Sequence, residues 1–412
     1  MDEMMEPHLV NRSWLEASAL KALMEAFNQG GNETRIVGGA VRDALLGEEI
    51  EDIDCATTAV PEEIVSIAEA VGFKAIPTGI DHGTITVVVE NVAFEVTTLR
   101  ADIDTDGRHA TVEFSKSFEE DAKRRDFTMN ALSIDAGGEV HDPIGGYRDL
   151  VHREVKFIGD AETRCHEDYL RVLRFFRFFA WYGAGRPDRD GLRAVVRTKS
   201  GLSTLSVERV WAELKKTLSA PDPERAILWM RTTEVLSAVL PENWGLDQFH
   251  WMVNAERDQG WDADPMRRLQ AMFQPVDGVA SELSKRLKLS NEESARLKGF
   301  VSELPTAETC IDMSVVDFAK VLYRADRPGI IDALHHVFAK LLHRDENGRD
   351  RVIALIDFAR DWERPLFPVK GADLKERGYR EGRILGNALI DLEGKWVESG
   401  FHLSKDELLG ML

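Results

Sequence analysis

The chain has 412 residues, 43% hydrophobic and 30% charged, the balance of a folded globular protein with room for two to four domains. Its net charge of -20 argues against indiscriminate binding to polyanions, and no stretch reaches the roughly 18 consecutive apolar residues of a membrane span. The acidic start MDEMMEPH lacks the regions of a secretion signal, so a cytoplasmic protein is expected; three widely spaced cysteines, Cys55, Cys165 and Cys310, argue against a disulfide framework or zinc cluster, so any metal should be oxygen-bound.

In chain order, residues 13–29 predict an amphipathic helix capped by Ser13 and stopped at Gly30-Gly31. Short β-rich runs follow: TRIVGG, DIDCAT, TITVVVE, VAFEVTTLR, VEFS and ALSID, with helices at 41–46 and 61–71. An α+β domain should therefore end near Arg153. Beyond it the period is helical, with breaks at Gly183-Ala184-Gly185, Pro221-Asp222-Pro223, Pro241 and Gly260. Between residues 171 and 199, seven Arg and one Lys stand against Asp188 and Asp190, a local charge of +6 that suits a defined RNA site on an otherwise acidic protein.

Three constellations carry chemistry. In RIVGGAVRDALLGEEIEDIDCA, Gly38 and Gly39 close a strand and a DxD follows thirteen residues after Gly39. Glycines let backbone N–H groups approach a triphosphate, with Arg42 just beyond on the opening helix. Asp52 and Asp54 on one strand would share a face, a spacing that suits Mg²⁺, which takes oxygen ligands and nucleotide phosphates. Either motif alone is more often a plain turn or a solvated strand end; the pairing makes the reading specific.

The second constellation is Arg124-Arg125-Asp126-Phe127-Thr128-Met129-Asn130-Ala131, where a guanidinium can fork onto phosphate and Asp126 or Asn130 can bond a ribose hydroxyl. Taken alone it reads as a charged helix end. His141-Asp142-Pro143-Ile144-Gly145-Gly146-Tyr147 reads as a stiff turn or hinge.

The third is EDYLRVLRFFRF, an apolar helix with Arg at every third position. Asp168 and Arg171 lie about 60° apart on such a helix, which by itself suggests an i,i+3 ion pair. Functionally, a carboxylate beside a guanidinium would read a base edge offering an amino donor and a ring-nitrogen acceptor. Cytosine and adenine present that edge; uracil and guanine present the reverse. Arg174 could reach phosphates from the neighbouring face, and Arg177 lies half a turn from Asp168.

Taken in this order, from about residue 34 to 214 and including LSVERVWAEL, the motifs resemble the tRNA nucleotidyltransferase/poly(A) polymerase family of the polymerase-β-like superfamily, specifically the class II CCA-adding enzymes. The resemblance implies an N-terminal helix (1–33), a polymerase-β-like head with a small mixed sheet (34–153), a helical neck (154–245) and an all-α body and tail (246–412). It implies template-independent addition of C, C and A to tRNA from CTP and ATP, with Asp52 and Asp54 holding Mg²⁺. Gly39 and Arg42 would serve the nucleotide phosphates, Arg125 and Asp126 phosphate and ribose, Asp168 and Arg171 the base, with Arg174 and Arg177 as further contacts. Such sites usually offer a third carboxylate; Glu95 has the chemistry, and reads equally as a strand-edge acid. The polar segment 100–113 reads as a mobile loop, which in this family is needed for switching to adenosine.

Rivals remain. A bacterial poly(A) polymerase shares the head motifs but typically carries a strongly basic C-terminal extension and a Pro after the base-reading Asp, where this chain has Tyr169. An A-adding specialist fits the same motifs, and a non-catalytic RNA-binding protein that keeps the fold is a rival of another class. Nothing in the sequence fixes the oligomeric state.

Overall fold

The computed structural model describes residues 9, 12–80, 83–103, 111–242, 245–276, 278–342 and 345–412. The chain divides into two units, residues 1–217 with 225–239, and residues 218–224 with 240–412.

The first unit opens with a 3-10 turn, Ser13–Glu16, then α1 (Ser18–Phe27). The expected continuous helix from Ser13 is interrupted because Ala17 is extended (φ -59°, ψ 130°), and it offers no side-chain cap. α1 buries Leu20, Leu23, Met24 and Phe27.

The sheet follows from β1 (Thr34–Val37), α2 (Gly39–Leu46), β2 (Asp54–Thr57), α3 (Pro61–Ala70), β3 (Lys74–Gly79), β4 (Thr84–Val89) and β5 (Val92–Thr98). β6 (Arg100–Ile103) and β7 (Thr111–Phe114) pair separately, and α4 (Phe118–Lys123), β8 (Ser133–Ile134), β9 (Val140–His141) and α5 (Gly146–Val151) complete the head. Seven strands lie in the order β3-β4-β5-β2-β1-β8-β9. Among the described residues, the one parallel pairing in this sheet is β2 with β5. β4 shows the alternation of a half-buried strand, with Ile85, Val87 and Val89 inward.

Two expectations change here, and one strand appears that was not expected. The run 52–57 becomes a strand only at Asp54, so Asp52 lies in the preceding loop and the shared-face argument for the DxD does not hold. β3, which carries no strand signal in the sequence, is half exposed, contains Pro77 and sits at the sheet edge, where a missing N–H is tolerated. The ends of the expected mobile loop 100–113 pair as β6 and β7, while residues 104–110 lie outside the described residues.

The DPIGGY segment is a fixed turn. Asp142 accepts from the N–H groups of Gly146 (2.8 Å) and Tyr147 (3.0 Å). A Cβ on Gly146 would lie 2.0 Å from the Thr128 carbonyl oxygen, so the backbone there approaches as only glycine permits.

Helices α6 (Ala161–Glu167), α7 (Leu170–Tyr182), α8 (Arg189–Thr198), α9 (Val207–Leu218), α10 (Glu224–Thr232) and α11 (Val235–Val239) follow. α7 buries Val172, Leu173, Phe175, Phe176, Phe178 and Phe179, leaving Arg171, Arg174 and Arg177 half-buried along one side. Phe127 is fully buried against Phe157 and Phe178, with centroids 4.9 Å away in each case. This aromatic knot fixes the Arg124–Ala131 segment to α7, and aromatic contacts of this kind contribute beyond their buried area.

The second unit is helical: α12 (Asp247–Gln259), α13 (Pro265–Gln270), α14 (Val279–Arg286), α15 (Asn291–Cys310), α16 (Val315–Arg324), α17 (Arg327–Leu341), α18 (Glu346–Asp361), α19 (Gly371–Glu376), α20 (Arg383–Glu398) and α21 (Lys405–Leu409). Its core holds charged groups in pairs. Arg268 and Glu256, each 2% exposed, meet at 2.7 Å. Arg296 bridges Asp264 (2.5 Å) and Asp332 (2.6 Å). Among the described residues no helix is long and apolar enough to cross a membrane.

Candidate active site

The site begins where β1 meets α2. Gly38 has φ +73° and ψ -129°, a conformation that side chains rarely adopt, and it turns the chain into the α2 N-terminus. A Cβ there would stand 3.6 Å from Arg125 Nη1, and one on Gly39 would stand 3.5 Å from Arg42 Nη2. Val37 is opposite Asp54 across the β1–β2 ladder, and Asp54 is opposite Glu95 across the parallel β2–β5 pairing. The glycine turn, Asp54 and Glu95 therefore share one end of the sheet.

Asp54 and Glu95 are exposed, as is Asp52. The pKa of Asp54 is raised, first by the protein packed around it, then by the charges of Glu95 and Asp52, with Arg125 offsetting part of this. Three acids facing one arginine form an oxygen donor set with unbalanced negative charge, which fits a hard divalent cation. Their oxygens do not yet converge. Among the described residues, the only trio with ligand atoms mutually within 4.8 Å is Asp135, Glu139 and His141 at the β8–β9 hairpin.

The Arg124–Ala131 segment is held from beneath by Asp121, which is 4% exposed. Its carboxylate accepts from Arg124 Nε (2.9 Å) and from Arg125 Nε (3.1 Å) and Nη2 (3.0 Å). Asp126 is 8% exposed and accepts from the Phe127 N–H (2.9 Å), Asn130 Nδ2 (3.0 Å) and Arg174 Nε (2.8 Å). Burial alone would raise its pKa, yet the Arg174 charge and the bonds from Asn130, Arg174 and Phe127 together hold it below the ordinary value.

The same chain of bonds continues to α2. Asn130 Oδ1 accepts from Arg42 Nη1 (3.0 Å), and Arg42 also donates to Asp43 (2.9 Å) and to Tyr182 Oη (2.6 Å), with its guanidinium 4.0 Å from the Tyr182 ring centroid. Arg42 and Asp126 are thus brought together with Arg174, but as a buried frame. Asp126 already accepts from three partners, so a ribose hydroxyl would compete with them.

The base-reading pair differs most from expectation. The helix is not continuous: α6 ends at Glu167, Asp168 is extended (φ -148°, ψ 106°), and α7 starts at Leu170. Asp168 Oδ1 accepts from the Leu170 N–H (3.0 Å), so the aspartate caps the new helix, a role its short side chain favours. Its Oδ2 accepts from Arg209 Nη2 at 2.8 Å. Arg171 instead donates to Glu167 and to the Arg164 carbonyl (2.9 Å). The i,i+3 ion pair is not what holds these two residues.

Arg177 Nε lies 2.7 Å from Glu213 Oε2, and Arg174 Nη1 lies 3.9 Å from Glu213 Oε1. Sequence reasoning missed Arg209 and Glu213, although their i,i+4 spacing in LSVERVWAEL places both on one side of α9. It missed Tyr182 and Arg164 as well; nothing local marks them.

Comparisons with known proteins place the chain in a family. The family described as "Poly A polymerase head domain" matches residues 34–156, and "Probable RNA and SrmB- binding site of polymerase A" matches residues 187–244. The chain is 36% identical over 404 residues to mitochondrial CCA tRNA nucleotidyltransferase 1 of Mus musculus, covering 97% of this chain and 90% of the mouse protein. It is 39% identical over 249 residues to the CCA-adding enzyme of Geobacillus stearothermophilus, 58% of this chain and 60% of that one. A solved structure of the Bacillus stearothermophilus CCA-adding enzyme in complex with CTP superposes with a TM-score of 0.75 at 29% identity, covering 92% of each chain.

The fold and the site define a nucleotidyltransferase with a polymerase-type head. The chain belongs to the CCA tRNA nucleotidyltransferase family, and the protein is an enzyme of that family.

Proposed function

We propose that this protein completes tRNA 3′ ends by adding C, C and A from CTP and ATP. The observation that carries the reading is the direct pairing of Asp54 with Glu95 on adjacent parallel strands, beside the Gly38 turn and under Arg125. The names of the full-length relatives, and the CTP named in the complex of the structural neighbour, support the choice of substrates.

In this reading the tRNA 3′ oxygen attacks the α-phosphorus in line: a new bond forms from the 3′ oxygen to that phosphorus, the bond from the phosphorus to the α–β bridging oxygen breaks, pyrophosphate leaves with its electron pair and the hydroxyl proton passes to solvent. Asp52 and Asp54, with Glu95 as third carboxylate, would hold Mg²⁺, which when bound supplies charge neutralisation at the phosphates and lowers the cost of deprotonating the hydroxyl. Gly38 and Gly39 give the triphosphate close backbone approach, and Arg125 stands over them from its Asp121 support. Arg42, Asp126 and Asn130 keep that wall in register; Arg174 and Arg177 contribute from α7 when their internal partners are exchanged for phosphate. Asp168 accepts the amino group of cytosine or adenine and Arg171 donates to the ring nitrogen, so UTP and GTP leave polar groups unpaired.

The division of labour that goes with this is a head at 34–153, a neck at 154–245 carrying the base-reading residues, and a tRNA-binding body and tail at 246–412. The compartment proposed is the cytoplasm; because several relatives are named as mitochondrial, cell fractionation is the check.

The test is incubation with Mg²⁺ and tRNA lacking CCA, or ending in CC, with CTP, ATP or both, read at single-nucleotide length. Stopping at CCA with both nucleotides is the expected result. A single A added only to tRNA ending in CC makes the chain an A-adding specialist, a long A ladder on unrelated RNA makes it a poly(A) polymerase, and no addition refutes catalysis.

A further inference from the structure

We propose that Arg164 is a positioning residue that couples the phosphate side of the site to its base-reading side. The inference rests on the assignment of Arg125 to phosphate and of Asp168 and Arg171 to the base.

Arg164 lies on α6 and is 7% exposed, so it cannot itself reach a nucleotide. Its Nη2 donates to the main-chain carbonyls of both Arg124 and Arg125, roughly forty residues earlier in the chain. Its Nη1 donates to Glu167 Oε2 at 2.6 Å. Glu167 Oε2 also accepts from Arg171 Nη1, and Arg171 Nη1 returns to the Arg164 carbonyl at 2.9 Å. One planar guanidinium therefore joins the peptide that aims Arg125 to the carboxylate that aims Arg171.

The residue type matters. A guanidinium offers donors in a fixed fork and can serve two carbonyls and a carboxylate together, whereas an ammonium is a point charge on a flexible stem. The arrangement also explains how arginines at positions 124, 125, 164 and 171 gather without mutual repulsion dominating: Asp121 and Glu167 are shared counter-ions. In a template-independent transfer, the base and the α-phosphate of one nucleotide must be held at a fixed separation. Misplacement by about 1 Å is enough to cost about 10²-fold in rate.

The experiment is steady-state kinetics of Arg164→Lys on tRNA ending in C and in CC, with CTP, ATP, UTP and GTP, beside thermal melting of the same preparation. The expected result is a folded protein whose kcat/KM for CTP and for ATP falls about 10- to 100-fold, mainly in kcat, while incorporation of UTP and GTP relative to CTP and ATP rises. Full activity with unchanged selectivity overturns the proposal, and so does a loss fully matched by loss of folded protein with selectivity intact. Should Arg164→Lys fail to fold, Glu167→Ala removes the shared acceptor on the more exposed side of the link while leaving the two carbonyl bonds; relaxed selectivity supports the coupling and unchanged selectivity overturns it. Asp168→Asn is run in parallel. If it leaves selectivity unchanged, the base-reading assignment itself falls; if it relaxes selectivity while the Arg164 and Glu167 variants do not, only the coupling falls.

Discussion

Glu213 is a buried carboxylate beside two arginines of α7, and its removal has a magnitude that can be worked out. Its side chain is 8% exposed, with Arg177 Nε at 2.7 Å and Arg174 Nη1 at 3.9 Å. Arg177 already has a lowered pKa, through burial first and then the Arg174 charge, with Glu213 as the leading compensating interaction. Taking away one partner of a buried ion pair costs about 3–5 kcal/mol, because the remaining charge is left desolvated. Glu213→Ala should therefore lose that much, whereas Glu213→Gln keeps the shape and one acceptor and should lose about 2 kcal/mol, in the range for hydrogen bonds to charged groups. At about 2–4 °C per kcal/mol for a domain of this size, the alanine variant melts roughly 6–20 °C lower. The assay is calorimetry of both variants together with kcat/KM for CTP and ATP, which should fall in parallel if, as proposed, the same two arginines serve either nucleotide. An alanine variant melting within about 2 °C of the parent would refute the reasoning. So would a glutamine variant as damaged as the alanine one.

Asp54→Asn should abolish nucleotide addition while leaving the melting temperature unchanged or higher, since it removes a carboxylate crowded by Glu95 and Asp52; a clear drop in Tm would contradict that. Gly146→Ala puts a methyl group 2.0 Å from the Thr128 oxygen, so the Arg124–Ala131 segment must shift; a loss of about 1–3 kcal/mol in urea unfolding is expected, as for other overpacked sites, and a neutral result would show the turn to be loose. Acid should weaken the second unit: His335 has its pKa lowered to about 3 by burial first and then by Arg267, and His336 is lowered in the same direction. The unfolded chain takes up these protons near pH 6.5 and the folded one does not, so stability is full above that pH and falls as pH drops toward 3. His335 alone costs about 2 kcal/mol at pH 5, and His336 adds in the same direction. Urea midpoints that stay flat between about pH 7 and about pH 5, or a His335→Gln variant with the same acid slope as the parent, would rule this out.

The sequence carried the parts of the site whose physics is local. Gly38 announces a backbone conformation, and the aromatic positions of α7 announce a buried face. It misplaced Asp52, because the alternation of a strand was extended two residues ahead of where β2 begins. It ran the base-reading helix through Asp168, although an aspartate ahead of an apolar helical run is also the signature of a cap. The neighbour relation of Asp54 and Glu95 arises from the parallel β2–β5 pairing, a long-range topology with no local signal.

Charge shows the same division between what is local and what is not. Counted along the chain, residues 171–199 form a stripe of +6 that suits RNA. In three dimensions four of its seven arginines are answered from outside the stripe: Arg171 by Glu167, Arg174 by Asp126, Arg177 by Glu213 and Arg197 by Glu162. The positive charge near the nucleotide site is thus already balanced within the protein. If Asp168, Arg171, Arg174 and Arg177 are the nucleotide contacts proposed above, a base edge or phosphate would bind them by replacing an internal carboxylate and not by neutralising a free cation. Under the proposed assignment, selectivity would follow from that exchange: a wrong base would satisfy Asp168 and Arg171 less well than Arg209 and Glu167 already do, and the internal pairs would re-form.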